Sequence, residues 1–500
     1  MTLSVDDLLH SDAPIVVIEA AAGCGKTWTA AKFAKAMSAR LDHQRVLLLS
    51  HTHGACGEFH RRCAGPGLHI DVETCDSFAL KVVSPYAAAL GLPFPLDHLV
   101  GRAEVPFEAI RSKAVDLVRR SPTVARLIGA QYPVIILDEH QDASLSQHEL
   151  VMILMQIGGS RLRVFGDPMQ ALHSGGAAQV VDWDALWQGC RDRRELTEPK
   201  RWNDAPELGR WITAARATLR TGAAVSLDDA PREVRVRAAT ALAGRKKLKD
   251  PKLAAEILHA FLDDGDGRAV VIAHLSDMVR ALAQGANWRA GVNEGAVLEH
   301  LDALLAEAED DVVTAAKLAV AFLQFATDIG SGFPKALREG IEKRAQVQLN
   351  RSQAGVKQLA WLQPLEAIYA KPDHRGLAAA MDLVAEHPPA GYRIRFSEHA
   401  AALRAVGRTD DPRGHLHALS RLRRRRALPP LSTSTVHKAK GLEFRRVLVC
   451  PADEQQYPTG TYGARLFYVA ISRATHQLTI VTDTGSPLAH LGAGTSDRAP

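Results

Sequence analysis

Ile15–Thr27 reads IVVIEAAAGCGKT, an apolar strand that runs into a glycine-bearing loop ending in lysine and threonine. The run Ile15–Ile18 predicts a buried strand, and Thr27–Met37 carries the spacing of a helix. In that strand–loop–helix setting Gly23 and Gly25 let the backbone curl, so that the N–H groups of Ala22, Gly23, Cys24 and Gly25 face phosphate oxygens. Lys26 is then expected to reach the β- and γ-phosphates and the Thr27 hydroxyl to ligate Mg²⁺. The position of the usual first glycine is Ala20, and Cys24 fits as a small filler. Far downstream, Val134–Asp142 reads VIILDEHQD, a second apolar strand ending in paired acids. Asp138 is the expected metal partner and Glu139 the expected base for an attacking water. The two segments together predict a site that hydrolyses a nucleoside triphosphate.

Length and composition set the frame. Five hundred residues predict about three or four compact units. Apolar and charged fractions of 46% and 23% describe an ordinary globular chain. A net charge of +5 is small for this length, so nucleic-acid binding would need a local basic groove. Six cysteines form no C-x-x-C pair, which fits a reducing compartment. No apolar run approaches the roughly 20 residues of a membrane helix, and the N-terminus lacks a basic segment before an apolar core. A soluble, cytoplasmic protein without a membrane partner is expected.

Residues 13–80 alternate strand and helix, which predicts a parallel sheet with helices on both faces. Residues 81–128 carry helical spacing, as in FEAIRSKAVDLVRR, and read as a small helical insertion. The sheet resumes with VIILDEH, RLRVFGD and RRELTEP, so that 1–80 and 129–230 form one lobe. A second α/β lobe, 231–290 and 426–490, holds VRVRAAT, AVVIAHL, the long run from LSTSTVHKAKGLEF, and LTIVTD. Helix-rich, strand-poor residues 291–425 interrupt it. No internal repeat is present.

The order of further segments narrows the class. VFGDPMQAL puts Gln170 at a strand end, and TVHKAKGLEF (Thr435–Phe444) and LFYVAISRA (Leu466–Ala474) follow. With DEHQD, this ordered set resembles the superfamily-1 helicases of the UvrD/Rep type. The resemblance covers about residues 13–285 and 425–483. It implies two RecA-like parallel-sheet lobes, ATP with Mg²⁺, and single-stranded DNA or a tailed duplex lying across both lobes. Residue by residue, it assigns Gln170 to sensing the γ-phosphate, and Arg201 and Arg473 to first- and second-lobe arginines that reach it. Gly441 and Glu443 match the second-lobe loop that contacts nucleotide. Strand contacts would come from His51, Thr52, His53, Ser77, Phe78, His173, Thr435 and His437, with 3′→5′ movement. Two guanidiniums on opposite walls would stabilise the transferring phosphoryl group and couple hydrolysis to lobe closure.

The departures are as informative. Residues 1–15 contain no glutamine to read adenine, and Lys200 stands where an aromatic usually precedes the first-lobe arginine. The segment after Gln170 reads ALHSGG, with His173 and Gly175 in place of a tyrosine and a tryptophan; His51 stands for a phenylalanine. Each base–aromatic stack is worth about 1–3 kcal/mol, so the DNA track is altered while the nucleotide chemistry is intact. This favours, as an alternative, a nucleotide-gated DNA sensor or regulatory subunit acting beside a nuclease partner, in the manner of the helicase-like component of the Gabija anti-phage system. A nuclease domain within the chain is not expected, because a short Gly/Ser-rich tail follows Asp483.

Other clusters read more plainly. His51, His53, Cys56, His60 and Cys63 span a strand end and a helix start, which the strand-binding segment explains better than zinc. Arg421 and Arg423–Arg426 read as a solvated loop or a phosphate contact. Phe467 and Tyr468 read as core. A kinase or signalling GTPase would leave Arg201, Thr435–Phe444 and Arg473 without a role.

Overall fold

The computed structural model describes residues 4–92, 106–172, 180–240, 242–245, 247–263, 268–285, 291–292, 301, 304–305, 308, 315–331, 361–394, 397–412, 414–416, 431–484 and 487–492. His173 and the basic run at 421–426 lie outside the described residues, as does the side chain of His53. The chain divides into two compact units, Met1–Asn293 with Leu428–Pro500, and Glu294–Ala427.

The first unit holds two sheets of six parallel strands. In the first, β1 (Ile15–Ala20), β2 (Val46–Ser50), β3 (Ile70–Thr74), β4 (Val134–Leu137), β5 (Arg161–Gly166) and β6 (Arg193–Leu196) lie in the order β3-β2-β4-β5-β1-β6. These strands are apolar runs rather than alternating patterns because both faces are covered. Val17, Leu47, Leu49, Ile135 and Leu137 bury one face, while Val16, Ile18, Leu48, Ile136 and Phe165 bury the other. Each face has its own helical layer: α2 (Lys26–Ser38) and α3 (His53–Cys63) cover the second, and α4 (Cys75–Val83) belongs to the first. Helices α5 (Phe107–Arg120) and α6 (Pro122–Gln131) also pack there. Their Ile110, Ala114, Val118 and Ala125 share a cluster with Phe78 and with Leu150 and Leu154 of α7 (Leu145–Gln156). The segment expected as an insertion thus forms part of the helical layer on that face.

The N-terminal helix α1 (Val5–His10) starts at a Ser4–Asp7 capping box. It is pinned by buried Arg163, whose guanidinium donates to the carbonyls of Leu9, Ser11 and Ala13 at 2.6–2.9 Å. After α8 (Trp183–Gly189) and β6 comes α9 (Pro206–Arg220). Leu208, Trp211, Ile212, Ala215 and Leu219 bury one stripe of α9 against second-lobe residues such as Phe467 and Ile480.

The second sheet runs β7-β14-β13-β8-β12-β9, with β7 (Val234–Ala239), β8 (Ala269–Ala273), β9 (Gly291–Val292), β12 (Leu431–Thr435), β13 (Phe444–Ala452) and β14 (Ala474–Asp483). Val270, Ile272, Val447, Val449, Leu478 and Ile480 face one side; Val271, Ala273, Leu448 and Val481 face the other, against α10 (Pro251–Asp263) and α11 (Ser276–Gly285). Two α/β lobes with parallel sheets were legible in the sequence, and the architecture is that of two RecA-like lobes.

The second unit is helical. Helices α12 (Ala315–Ile329), α13 (Leu362–Ala370), α14 (His374–Glu386) and α15 (Ser397–Val406) close around Phe322, Trp361, Met381 and Leu403. Its two short strands, β10 (Gly330–Ser331) and β11 (Arg393–Ile394), pair antiparallel.

Candidate active site

Strand β1 pairs with β5, and β5 pairs with β4. The loop after β1, the acids after β4 and Gln170 after β5 therefore emerge side by side from the C-terminal sheet edge, where ligands of parallel sheets bind. Gly23 and Gly25 are left-handed, at φ 73° and 81°, and α2 begins at Lys26. Gly23 is needed twice over, since a Cβ there would stand 2.6 Å from the indole of Trp202. Lys200 and Arg201 donate their backbone N–H groups to the Gly23 carbonyl at 2.8 and 3.0 Å. The segment LTEPKRW is thereby stitched to the loop.

Lys26 is 8% exposed and its Nζ lies 2.5 Å from Glu139 Oε1. Burial works against the lysine charge, yet Glu139 and Asp138 outweigh it and hold the ammonium above its ordinary range. Burial likewise opposes charge on Glu139, but Lys26 and Lys440 pull its carboxyl well below the usual carboxylate range. Asp138 goes the other way: burial raises its pKa, and Lys26 only partly offsets that. Among the described residues Glu139 is the one non-glycine with positive φ, at 53°. Such backbone strain concentrates at functional sites. Gln141 holds the other Glu139 oxygen at 2.6 Å and accepts from the Asp167 N–H at 3.0 Å.

A divalent cation fits this donor set. Asp138 is buried, its Oδ1 has no hydrogen-bond partner, and the half-buried Thr27 offers a hydroxyl. Hard oxygen donors with space for phosphate and water suit Mg²⁺.

The second lobe closes the pocket. Arg473 is 1% exposed. It donates to the Val469 carbonyl at 2.9 Å, to Ser472 Oγ at 2.7 Å and across the lobes to Gln170 Oε1 at 3.3 Å. Burial and the nearby Arg201 lower its pKa to about 10, which leaves it charged at neutral pH. Arg201 is shared between lobes: it donates to Glu443 at 2.8 Å and to the Ser472 carbonyl at 2.7 Å. Trp202 Nε1 donates to the Ala474 carbonyl at 2.7 Å. Gly441 is left-handed at φ 78° beside Glu443.

Residues not singled out in the sequence complete the site. Tyr468, on α17 (Thr461–Ile471; the short α16 is Val436–Ala439), is core as expected. Its hydroxyl nonetheless accepts the Ala22 N–H at 2.9 Å and donates to Asp167 at 3.3 Å. Behind the loop, Arg216 of α9 bonds Glu19 at 2.6 Å, Asp167 at 3.0 Å and Glu195 at 3.1 Å, and Arg220 also bonds Glu19. Charged residues flanked by apolar neighbours (Glu19 in IVVIEA, Arg216 in ITAARA) were the available signal. Lys440 of the second lobe pairs with Asp142 of the first and donates to the Gln170 carbonyl at 2.6 Å.

The expected strand-binding residues are spread over both lobes. His51 is half-buried with its Nε2 enclosed, and Thr52 caps α3 through Ala55 N. Ser77 is exposed, whereas Phe78 sits in the core against Tyr132. Thr435 caps α16 through Lys438 N. His437 is exposed, stacks on His274 at 5.7 Å and meets the Tyr462 hydroxyl at 3.3 Å.

Residues 8–176 match the model of an AAA domain. Residues 418–484 match the model of the UvrD-like helicase C-terminal domain. These are the two motor halves of a UvrD/Rep-type superfamily-1 helicase. No curated protein matches the chain. In general terms the helicase is an ATP-hydrolysing enzyme that binds nucleotide and DNA. Among its described residues no helix is long and apolar enough to cross a membrane.

Proposed function

We propose that the chain is an ATP-driven motor that moves 3′→5′ along single-stranded DNA, each hydrolysis event closing and reopening the two lobes. The observation that carries this reading is the contact between Arg473 and Gln170, because one guanidinium joins the second lobe to the γ-phosphate side of the first. In this reading Lys26 and the N–H groups of Ala22–Gly25 hold the β- and γ-phosphates. Thr27 and Asp138 hold Mg²⁺, which when bound neutralises charge across the phosphate oxygens. A γ-phosphate competes with Glu139 for Lys26, which frees Glu139 to take a proton from the attacking water. Gln170 orients that water, and Arg201 and Arg473 stabilise the equatorial charge. Departure of phosphate removes the anion between the arginines and lets the lobes part. We assign 1–80 with 129–230 and 231–290 with 426–490 to the two motor lobes, and 81–128 and 291–425 to their helical insertions.

A second reading is a DNA-gated switch that works beside a nuclease and does not travel. The enclosed His51 ring and the buried Phe78 favour it, since they offer little face for base stacking. ATP turnover and strand displacement on 3′-tailed, 5′-tailed and blunt duplexes separate the two. A motor displaces the 3′-tailed substrate most strongly, and a switch shows DNA-stimulated turnover with no displacement. Equal displacement of 5′-tailed duplex overturns the assigned direction.

A further inference from the structure

Trp28 follows Thr27 directly, on the first turn of α2. At 50% exposure it is the one exposed tryptophan among the described residues. Leaving so large an apolar ring in water beside a phosphate loop is costly unless the ring has a partner. Two ammonium groups lie near it, Lys32 Nζ at 5.6 Å and Lys200 Nζ at 5.4 Å from the ring centroid. Lys32 is drawn away to Asp6. Lys200 is fixed at the loop mouth: its N–H bonds the Gly23 carbonyl at 2.8 Å, and its Cδ lies 3.5 Å from where a Gly25 Cβ would stand.

A triphosphate gripped between Lys26 and the curled loop must send its nucleoside outward from that loop. The indole next to Thr27 is the flat apolar surface at that exit, and the Lys200 ammonium lies over the same edge. Face-on stacking suits any base and favours the larger purines. Reading a base edge needs a fixed donor–acceptor pair instead. The N-terminal segment that could have supplied one has no glutamine, and it is tied up in its own cap and in the Arg163 contacts.

We propose that Trp28, with Lys200 beside it, is the nucleobase platform of this site, and that it selects purine over pyrimidine by stacking with little discrimination between ATP and GTP. The proposal rests on the triphosphate-hydrolase reading above. It relocates the stacking ring from the segment before Arg201, where Lys200 stands, to the helix that follows the phosphate loop.

The test compares wild type, W28F and W28A with ATP, GTP, CTP and UTP, and with inorganic tripolyphosphate as a base-free competitor. Turnover abolished by K26A first establishes the site; turnover that survives K26A sinks the hydrolase reading itself. W28A is expected to raise the KM for ATP and GTP about 5- to 100-fold with kcat within about threefold. W28F restores most of the loss, and nucleotide quenching of tryptophan emission is lost in both variants. Tripolyphosphate inhibits all three proteins equally. An unchanged KM for ATP in W28A overturns the proposal. So does parallel loss of tripolyphosphate inhibition, which marks a distorted loop, or a wild-type preference for ATP over GTP above about 100-fold.

Discussion

Arg473 Nη2 of the second lobe donates to Gln170 Oε1 of the first at 3.3 Å, while the same guanidinium is anchored on Val469 and Ser472 of its own lobe. Gln170 in turn donates to Asp167 at 2.9 Å. A buried cation is thus held at the seam by hydrogen bonds that any relative movement of the lobes must stretch. Its burial makes an added anion strongly attractive there, because little water screens the interaction.

Replacing Arg473 by alanine is expected to lower DNA-stimulated ATP turnover by about 10²–10³-fold while the protein still binds nucleotide. Lysine restores little, since one ammonium cannot span Val469, Ser472 and Gln170 together. Steady-state turnover and calorimetric ATP binding measure the two effects. Turnover unchanged in R473A removes the basis for interlobe coupling.

Lys26 and Glu139 form one ion pair but should separate by phenotype. Glu139→Gln keeps nucleotide binding and loses turnover, whereas Lys26→Ala loses both, by about 10²-fold or more in each affected quantity. Equal binding losses in the two variants would mean that Glu139 serves to position Lys26.

Lys440 ties Asp142 and the Gln170 carbonyl across the lobes, next to the segments expected to meet DNA. Lys440→Ala is expected to cut the stimulation of turnover by single-stranded DNA about tenfold or more and to spare basal turnover. Loss of both rates in parallel would place Lys440 in the hydrolytic step instead.

Buried Arg216 neutralises Glu19 and Asp167. Arg216→Met leaves those carboxylates uncompensated and should destabilise the protein by about 3–5 kcal/mol. Adding Glu19→Gln recovers part of that loss, and chemical denaturation reads both. If the double variant is no more stable than the single one, the network is not the cause.

His140 and His148 share a ring–ring hydrogen bond of 2.9 Å, and burial pushes both below the ordinary value of 6.5. Unfolding returns them to that value, so the unfolded chain binds more protons at mildly acid pH. The stability they contribute is complete above 6.5 and is lost as the pH falls through it. The melting temperature should therefore drop between about pH 7.5 and pH 5.5, with a shallower slope in His148→Gln. An identical slope in that variant assigns the acid sensitivity elsewhere.

The sequence alone determined the parts whose chemistry is local. A strand, a curled loop and a helix start are adjacent in the chain, so IVVIEAAAGCGKT and VIILDEHQD each announce a ligand and the strand that carries it. Continuous apolar runs then require two-faced burial, which a parallel sheet between helices supplies. What lay between those runs was less legible: helical spacing in FEAIRSKAVDLVRR gave the helix but not its docking onto the first lobe, because an apolar stripe does not name its partner. Only tertiary structure decided the rest. Tyr468 reaches Ala22 across 446 residues, and Arg216 meets Glu19 across 197. Trp28 gains its meaning from Lys200, a side chain far along the chain that lies close in space. Hydrogen bonds and charges act over a few ångströms, and chain separation carries no record of which distant groups folding will bring that near.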